Sequence, residues 1–457
     1  MNRQWCVLPL LFVAVFSALS VSAAEPLKLA AFEADITPPL GAALCDGLVM
    51  PAQEVVDPLK ARGIVLLGSA NPIVLIALDW VGIGNGGYDA FRVAVARAVD
   101  TEPERVAIHS LHQHDAPGCD FESEELLAAQ GLSGSQFHLA FAHLAINRVC
   151  DAARKAKERA EPVTHVGAGR GVVERVASNR RVLGDDGKVK FVRYSATKNP
   201  EVRDAPEGLI DPEVHLVSFW NGEKPIASLT YYATHPQSYY AKGGVSCDFP
   251  GLARGLRDRD QPGPVHVHFN GAGGNVTAGK YNDGAVENRP VLATRLAEGM
   301  KKAWDSQQKT AITAADVAWR TRGVVLPVSE RLKDEAPLLK DLADSELKLA
   351  ARIRAARDLA FARRCKRGHE TQLSVLRLGS TWLVHMPGEL FVEYQLATQK
   401  LQPEGLVCMA AYGDYGCGYI GTAVAYTQGG YETGIVSRVS PEVEDVLMGA
   451  VRQLMKK

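Results

Sequence analysis

The sequence predicts an α/β fold, with mixed sheets flanked by helices and a helical hairpin inserted between strands. Three observations carry that reading. Apolar runs of strand length recur along the chain, and several empty straight into polar or glycine-rich turns, as Pro264 to Phe269 does. Segments with helical period lie between them, the strongest being the amphipathic stretch Gln136 to Arg159, whose C-terminal end is basic. From Glu330 to Arg364 the chain is rich in Leu, Ala, Lys, Arg and Glu with few breakers, which reads as paired helices with a solvated face and an apolar stripe.

Taken in order, Leu27 to Ile36 alternates as a strand and is stopped by Thr37-Pro38-Pro39-Leu40-Gly41. Gly63 to Gly84 is a hairpin with Ser69-Ala70-Asn71-Pro72 between its apolar runs, and Tyr88 to Val99 has helical spacing. Val106, Ala107 and Ile108 form a buried strand that delivers His109, His112 and His114 before Pro117-Gly118 breaks the backbone. Side chains two apart share a strand face, so His112 and His114 point the same way. Two imidazoles there suit one metal ion at strand ends, or one ligand beside one substrate contact; the alternative reading of so short a His cluster is a solvated loop. His138 and His143 fall inside the Gln136 helix and read as ordinary helix residues.

Val163 to Arg193 gives short strands and turns. Asp211 to Trp220 and Pro225 to Tyr232 flank the turn Asn221-Gly222, and the second runs into Thr234-His235-Pro236. Pro264 to Phe269 opens onto the glycine-rich turn Asn270 to Thr277, and Pro290 to Ala303 is helical. Leu373 to Met386 is a strand pair around Gly379-Ser380. Pro387-Gly388 breaks it, and a helix follows from Glu389 to Leu401, where a carboxylate at the first turn caps by default. Leu406 to Gly430 is rich in Gly and Tyr and reads as loop, and Glu442 to Met455 closes the chain as a helix. No internal repeat and no Pro/Ser linker is visible, so 24–457 is expected to be one domain.

Residues 1–23 differ in kind. Arg3 gives a basic start, Leu8 to Leu19 is almost unbroken apolar sequence, and Val21-Ser22-Ala23 supplies the small residues of a cleavage site. The pattern predicts a cleaved leader and an exported chain with no transmembrane segment after its removal. The 51 basic and 52 acidic residues give a net charge of -1, which points away from nucleic acid. Seven cysteines remain beyond the leader; export permits disulfides, and the odd number leaves at least one thiol unpaired within the chain.

Four strand exits carry polar chemistry: His112 with His114, His235, the turn before Thr277, and Glu389, with Glu393 one turn on as its rival. His235 is equally a metal ligand or a satisfied histidine at a strand exit. The segment GAGGNVTAG lacks the last glycine of a nucleotide fingerprint, but its backbone N–H groups suit an oxyanion. Asn275-Val276-Thr277 is formally a glycosylation sequon, and His266 with His268 read as packed residues. There is no GxSxG elbow and no HExxH helix.

An ordered set of motifs resembles the N-terminal catalytic region of the neutral/alkaline, non-lysosomal ceramidases. The motifs are Asp35-Ile36-Thr37-Pro38-Pro39, His112-Gln113-His114-Asp115-Ala116-Pro117, Asn179-Arg180, Thr234-His235-Pro236, Asn270 to Thr277, Pro387-Gly388-Glu389, Gly418-Tyr419-Ile420 and Gly430-Tyr431-Glu432. The resemblance implies a Zn2+ ion held by His112, His235, Glu389 and Tyr419. It implies that His114 and Arg180 face the substrate carbonyl, that Thr277 stands where the family has its catalytic serine, and that Asn179, Asn275 and Tyr431 contact substrate. Thr277 for serine and Asn275 for aspartate are departures, and the family's C-terminal immunoglobulin-like domain is not expected in this chain. The implied activity is amide hydrolysis of an N-acylsphingosine or related N-acyl lipid by zinc-activated water. Its alternatives are a zinc esterase and a metal-stabilised protein that binds without catalysis.

Overall fold

A computed structural model describes residues 1–2, 26–68 and 70–456. The leader expected at 1–23 lies outside these residues save for its first two, as does Ser69 of the first hairpin turn. Among the described residues there are eleven α-helices and three principal sheets, and the three sheets share one plan. In the first, Lys28–Asp35, Lys60–Leu67 and Ile73–Leu78 run antiparallel. The helix Asn85–Val99 then returns the chain so that Val106–Ser110 lies parallel to Ile73–Leu78. The second repeats this with His165–Val172, Glu213–Asn221, Lys224–Tyr232, the helix Asp248–Asp260 and Val265–Asn270. The third repeats it with Val317–Val324, Thr371–Leu378, Thr381–His385, the helix Val392–Gln399 and Leu406–Ala410.

The repeat is invisible in sequence because a strand buried on both faces asks only for apolar residues. Ile73–Leu78, IVLIAL, is buried at every position and shows no alternation. One apolar cluster draws on all three sheets, through Leu75, Phe269 and Leu383 among others. Helices cover the other faces: Phe91 and Val149 pack on the first sheet, Phe249 and Leu296 on the second, Leu447 and Val451 on the third.

Four sequence expectations change. Leu406–Ala410 is a buried parallel strand at the edge of the third sheet rather than loop, because its five buried residues complete that sheet. The helix after Pro387 begins at Val392, and Glu389–Leu390 instead pairs parallel with Tyr419–Ile420, so Glu389 is no helix cap. The long amphipathic helix is Leu139–Lys157, with His138 outside it as its N-cap, accepting from the Phe141 N–H. The inserted hairpin is present as Glu335–Ala343 and Leu349–Lys366, but the second helix is no solvated face. It buries Ile353, Ala355, Ala356, Leu359, Ala360 and Phe361, because it packs on other helices as well as its partner. The seven cysteines of the described residues are unpaired, and no described helix is long and apolar enough to cross a membrane.

Candidate active site

The parallel strands of the three sheets end around one pocket. In open α/β sheets ligands gather outside the carboxyl ends of strands, where the chain leaves the ladder and its side chains are free to converge. The first sheet delivers His112 and His114, the second His235, and the third Glu389, Tyr412, Tyr415 and Tyr419.

His112 has φ +71, a conformation uncommon outside glycine, and is held there by its N–H bond to the Trp80 carbonyl at 2.8 Å. Its Nδ1 lies 2.6 Å from the Val81 carbonyl, so that nitrogen carries the proton. The free Nε2 then faces Glu389 Oε2 at 3.2 Å, and His235 Nδ1 lies 3.9 Å from the same oxygen. Both His235 Nδ1 and Glu389 Oε2 are buried with no hydrogen-bond partner. A proton would satisfy one pair of these atoms; a metal ion satisfies all three at once. His114 completes a group of three histidines whose ligand atoms lie within 4.8 Å of one another, its Nδ1 turned 3.1 Å from the His112 carbonyl.

Electrostatics agree with ligation. Burial, reinforced by the nearby Arg180 charge, holds His114 and His235 well below the usual histidine range, so both rings are neutral with lone pairs available. Burial alone would raise Glu389, but His112, Tyr415 and Arg180 outweigh it and keep the carboxylate ionised. Tyr415 Oη donates to Glu389 Oε1 at 3.0 Å, fixing the carboxylate's rotation. Tyr412 stacks on His112 with ring centroids 4.8 Å apart and itself has φ +60.

Arg180 Nη1 donates to Tyr419 Oη at 2.9 Å, and its Nε lies 3.2 Å from Glu432 Oε1. The rings of Tyr194, Tyr419 and Tyr431 surround this guanidinium at 5.5–5.8 Å. Tyr419 and the half-exposed Tyr431 line the pocket, a cavity of about 230 Å³.

The structure does not bring Thr277, Asn179 and Asn275 to that cavity. The Thr277 hydroxyl donates to the Arg193 carbonyl at 3.3 Å and accepts from the Gly279 N–H at 3.2 Å, inside a short ladder with Ser178. Asn179 donates to the Leu209 carbonyl and accepts from the Arg181 N–H. Asn275 accepts from the Val392 N–H and donates to Glu393, which removes Glu393 as a rival ligand. The polar groups of Thr277 and the two asparagines are thus engaged by backbone and neighbours, away from the residues that line the cavity. Asn275 is fully buried, so the sequon carries no glycan.

The glycine-rich turn is structural. A Cβ on Gly274 would sit 2.3 Å from the Glu389 carbonyl oxygen, and the Gly274 N–H donates to Leu390. The glycines let the second and third sheets touch, and that approach is what sets Glu389 opposite His235. A buried pair does the same for the first sheet: Arg254 grips Asp79 with two bonds of 2.9 and 2.6 Å. Asp79 in turn accepts from Gln113, the residue between the two histidines.

The far wall of the cavity carries Asp46, Ile353, Arg357 and Arg438, none of which the motifs suggest. Tyr415 was legible only as a neighbour of Tyr419 in a tyrosine-rich stretch. Arg357 lies in a basic helix with nothing local to mark it.

No protein-family model matches the chain, and no curated protein sequence matches it. Solved structures do. A ceramidase solved in complex with C2 superposes with TM-score 0.68 at 16% identity, over 94% of this chain and 74% of that one. The neutral ceramidase from Pseudomonas aeruginosa superposes with TM-score 0.66 at 17% identity, over 94% of this chain and 73% of that one. The chain therefore shares the fold of these ceramidases.

Proposed function

We propose that this chain is an exported, zinc-dependent hydrolase of the neutral ceramidase-like family, acting on an amide of an N-acylsphingosine or related N-acyl lipid. The observation that carries it is the meeting of His112 Nε2, His235 Nδ1 and Glu389 Oε2 at one point, two of the three atoms having no other partner. The shared fold and the ordered motifs support the family, and the apolar stretch at 8–19 supports export.

His112, His235 and Glu389 would hold the ion, with the Tyr419 oxygen as the fourth ligand. Zinc bound there supplies Lewis acidity toward a carbonyl and lowers the pKa of water. The residues around it do the rest. His114, neutral and with Nδ1 turned to backbone, offers its other nitrogen to take a proton from water and return it to the leaving amine. Arg180 fixes the Tyr419 hydroxyl and presents positive charge toward the carbonyl oxygen as it gains negative charge. Tyr415 keeps Glu389 from rotating away. Thr277 holds the strand that carries Asn275 and has no part in the proton transfers.

Elemental analysis of the purified protein beside His235→Ala tests the centre: about one zinc per chain is expected, lost in the variant. Zinc in neither would sink the proposal. A panel of matched amides and esters then separates the amidase from the esterase. Zinc retained with neither bond cleaved would leave a metal-stabilised binding protein.

A further inference from the structure

We infer that the amide taken by this pocket carries a negatively charged group on its amine side, read by an arginine wall opposite the histidine–glutamate cluster. The inference rests on the hydrolase reading and narrows its substrate to acyl amides with an anionic head, of which N-acyl amino acids are the simplest.

The wall is built by the second helix of the inserted hairpin, Leu349–Lys366, and by the segment after the tyrosine-rich loop. Arg354 and Arg357 come from the helix and Arg438 from the segment, and all three line the cavity with His112, His114 and Glu389. Arg357 pairs with Asp46 at 2.9 Å and lies over the Tyr415 ring at 5.2 Å. Arg438 pairs with Asp358 at 2.7 Å, but Arg331 takes the other oxygen of that same carboxylate at 2.5 Å. Arg354 makes no ion pair among the described residues.

Arg357, Arg438 and, from behind the lining, Arg331 therefore share two carboxylates, and Arg354 stands beside them without one. The next carboxylate behind Arg357 is Asp120, already engaged by the Asn85 amide, and its charge still leaves the wall positive. The Arg357 and Arg438 side chains are only 12% and 5% exposed and form a fixed positive backing, while the unpaired Arg354 is exposed at the cavity and free to turn to a ligand. A neutral head group would leave that charge uncompensated. A carboxylate matches the planar fork of an arginine and discharges it. The same cavity has an apolar rim, with Leu48 and Ile435 about half exposed beside Val49 and Val436. That rim gives the acyl chain a surface while the anion lies against the wall.

The test compares two amides of one chain length, N-dodecanoylglycine and N-dodecanoylethanolamine, on the full zinc-loaded chain and on Arg354→Glu. The expected result is a kcat/KM about tenfold or more higher for the carboxylate, the worth of one charge-assisted contact, with the preference abolished in Arg354→Glu. Cleavage of both amides without preference, unchanged in the variant, overturns this inference and leaves the hydrolase reading standing. Cleavage of neither counts against the hydrolase reading. In that case calorimetric binding of the two amides decides the wall separately. N-dodecanoylglycine bound about tenfold tighter, and weakened by Arg354→Glu, sustains the anion site; equal binding overturns it.

Discussion

The floor and the far wall of the pocket are built by opposite means. The floor is assembled from strand ends: His112, His235 and Glu389 each leave a different sheet, and their positions follow from a core common to all three. Its acceptor atoms face one another without partners, and two of its residues, His112 and Tyr412, hold a left-handed backbone. The wall is laid down mainly by an inserted helix of regular backbone, with Asp46 at φ +55 facing it, and its charges are partly paired. Strain and unpaired acceptors mark the place where the fold sustains a local cost for chemistry. The wall's helix carries surplus charge on a regular backbone, which suits recognition. Changes to the floor should therefore cost stability and metal together, while changes to the wall should cost only selectivity.

The largest test is Asp79→Ala. It strips the bidentate partner from buried Arg254 and the acceptor from Gln113 between the floor histidines. A loss of about 3–5 kcal/mol in denaturant unfolding is expected, since an unpaired buried charge remains. Metal content should fall with it. Normal zinc in a destabilised variant would show that the floor does not depend on this brace.

Gly274→Ala comes next. The added methyl would meet the Glu389 carbonyl at 2.3 Å, and moving two sheets apart should cost about 3 kcal/mol in unfolding free energy. Weaker zinc binding is expected alongside. An unchanged midpoint would mean that the sheets can slide, and that the floor is softer than the comparison holds.

A third measurement asks how much of the acid sensitivity comes from the buried framework rather than from the floor. His268 is buried against Thr230, and burial lowers it to about 3. The folded state therefore binds a proton less readily than the unfolded chain. Its stability is intact above the ordinary histidine value near 6.5, and it is lost as pH falls from there toward 3. Relative to His268→Gln, the wild type should lose about 2–3 kcal/mol between pH 6.5 and 4.5. A gap that does not change with pH would assign the acid sensitivity elsewhere.

Arg354→Glu should be the mildest. Arg354 is exposed and makes no ion pair among the described residues, so unfolding free energy should shift by about 0.5 kcal/mol or less, with zinc content intact. A large destabilisation would move Arg354 from recognition into the framework and erase the contrast between the two regions.

Legibility in the sequence follows the same division. His112, His114, His235 and Glu389 were visible because each stands where an apolar run meets a turn, and local pattern marks that junction. Glu389 was misplaced by only a few residues of helix boundary, since its parallel pairing with Tyr419 is a contact across thirty residues that no local pattern encodes. Thr277 was legible only as the residue at the family's serine position. Only its bonds to Arg193 and Gly279 show that the hydroxyl is used.

By itself, then, the sequence determined most of the runs buried as strands and most of the helices, with Leu406–Ala410 the strand it hid, and it showed which residues able to bind metal or move protons lie at strand exits. These are matters of hydrophobic period and local turn chemistry, which act over a few residues. Tertiary structure decided three things: that one sheet plan is used three times, that the three exits meet at a single point, and that three arginines share two aspartates beside the cavity. Each depends on contacts between residues far apart in the chain, set by packing around the common core.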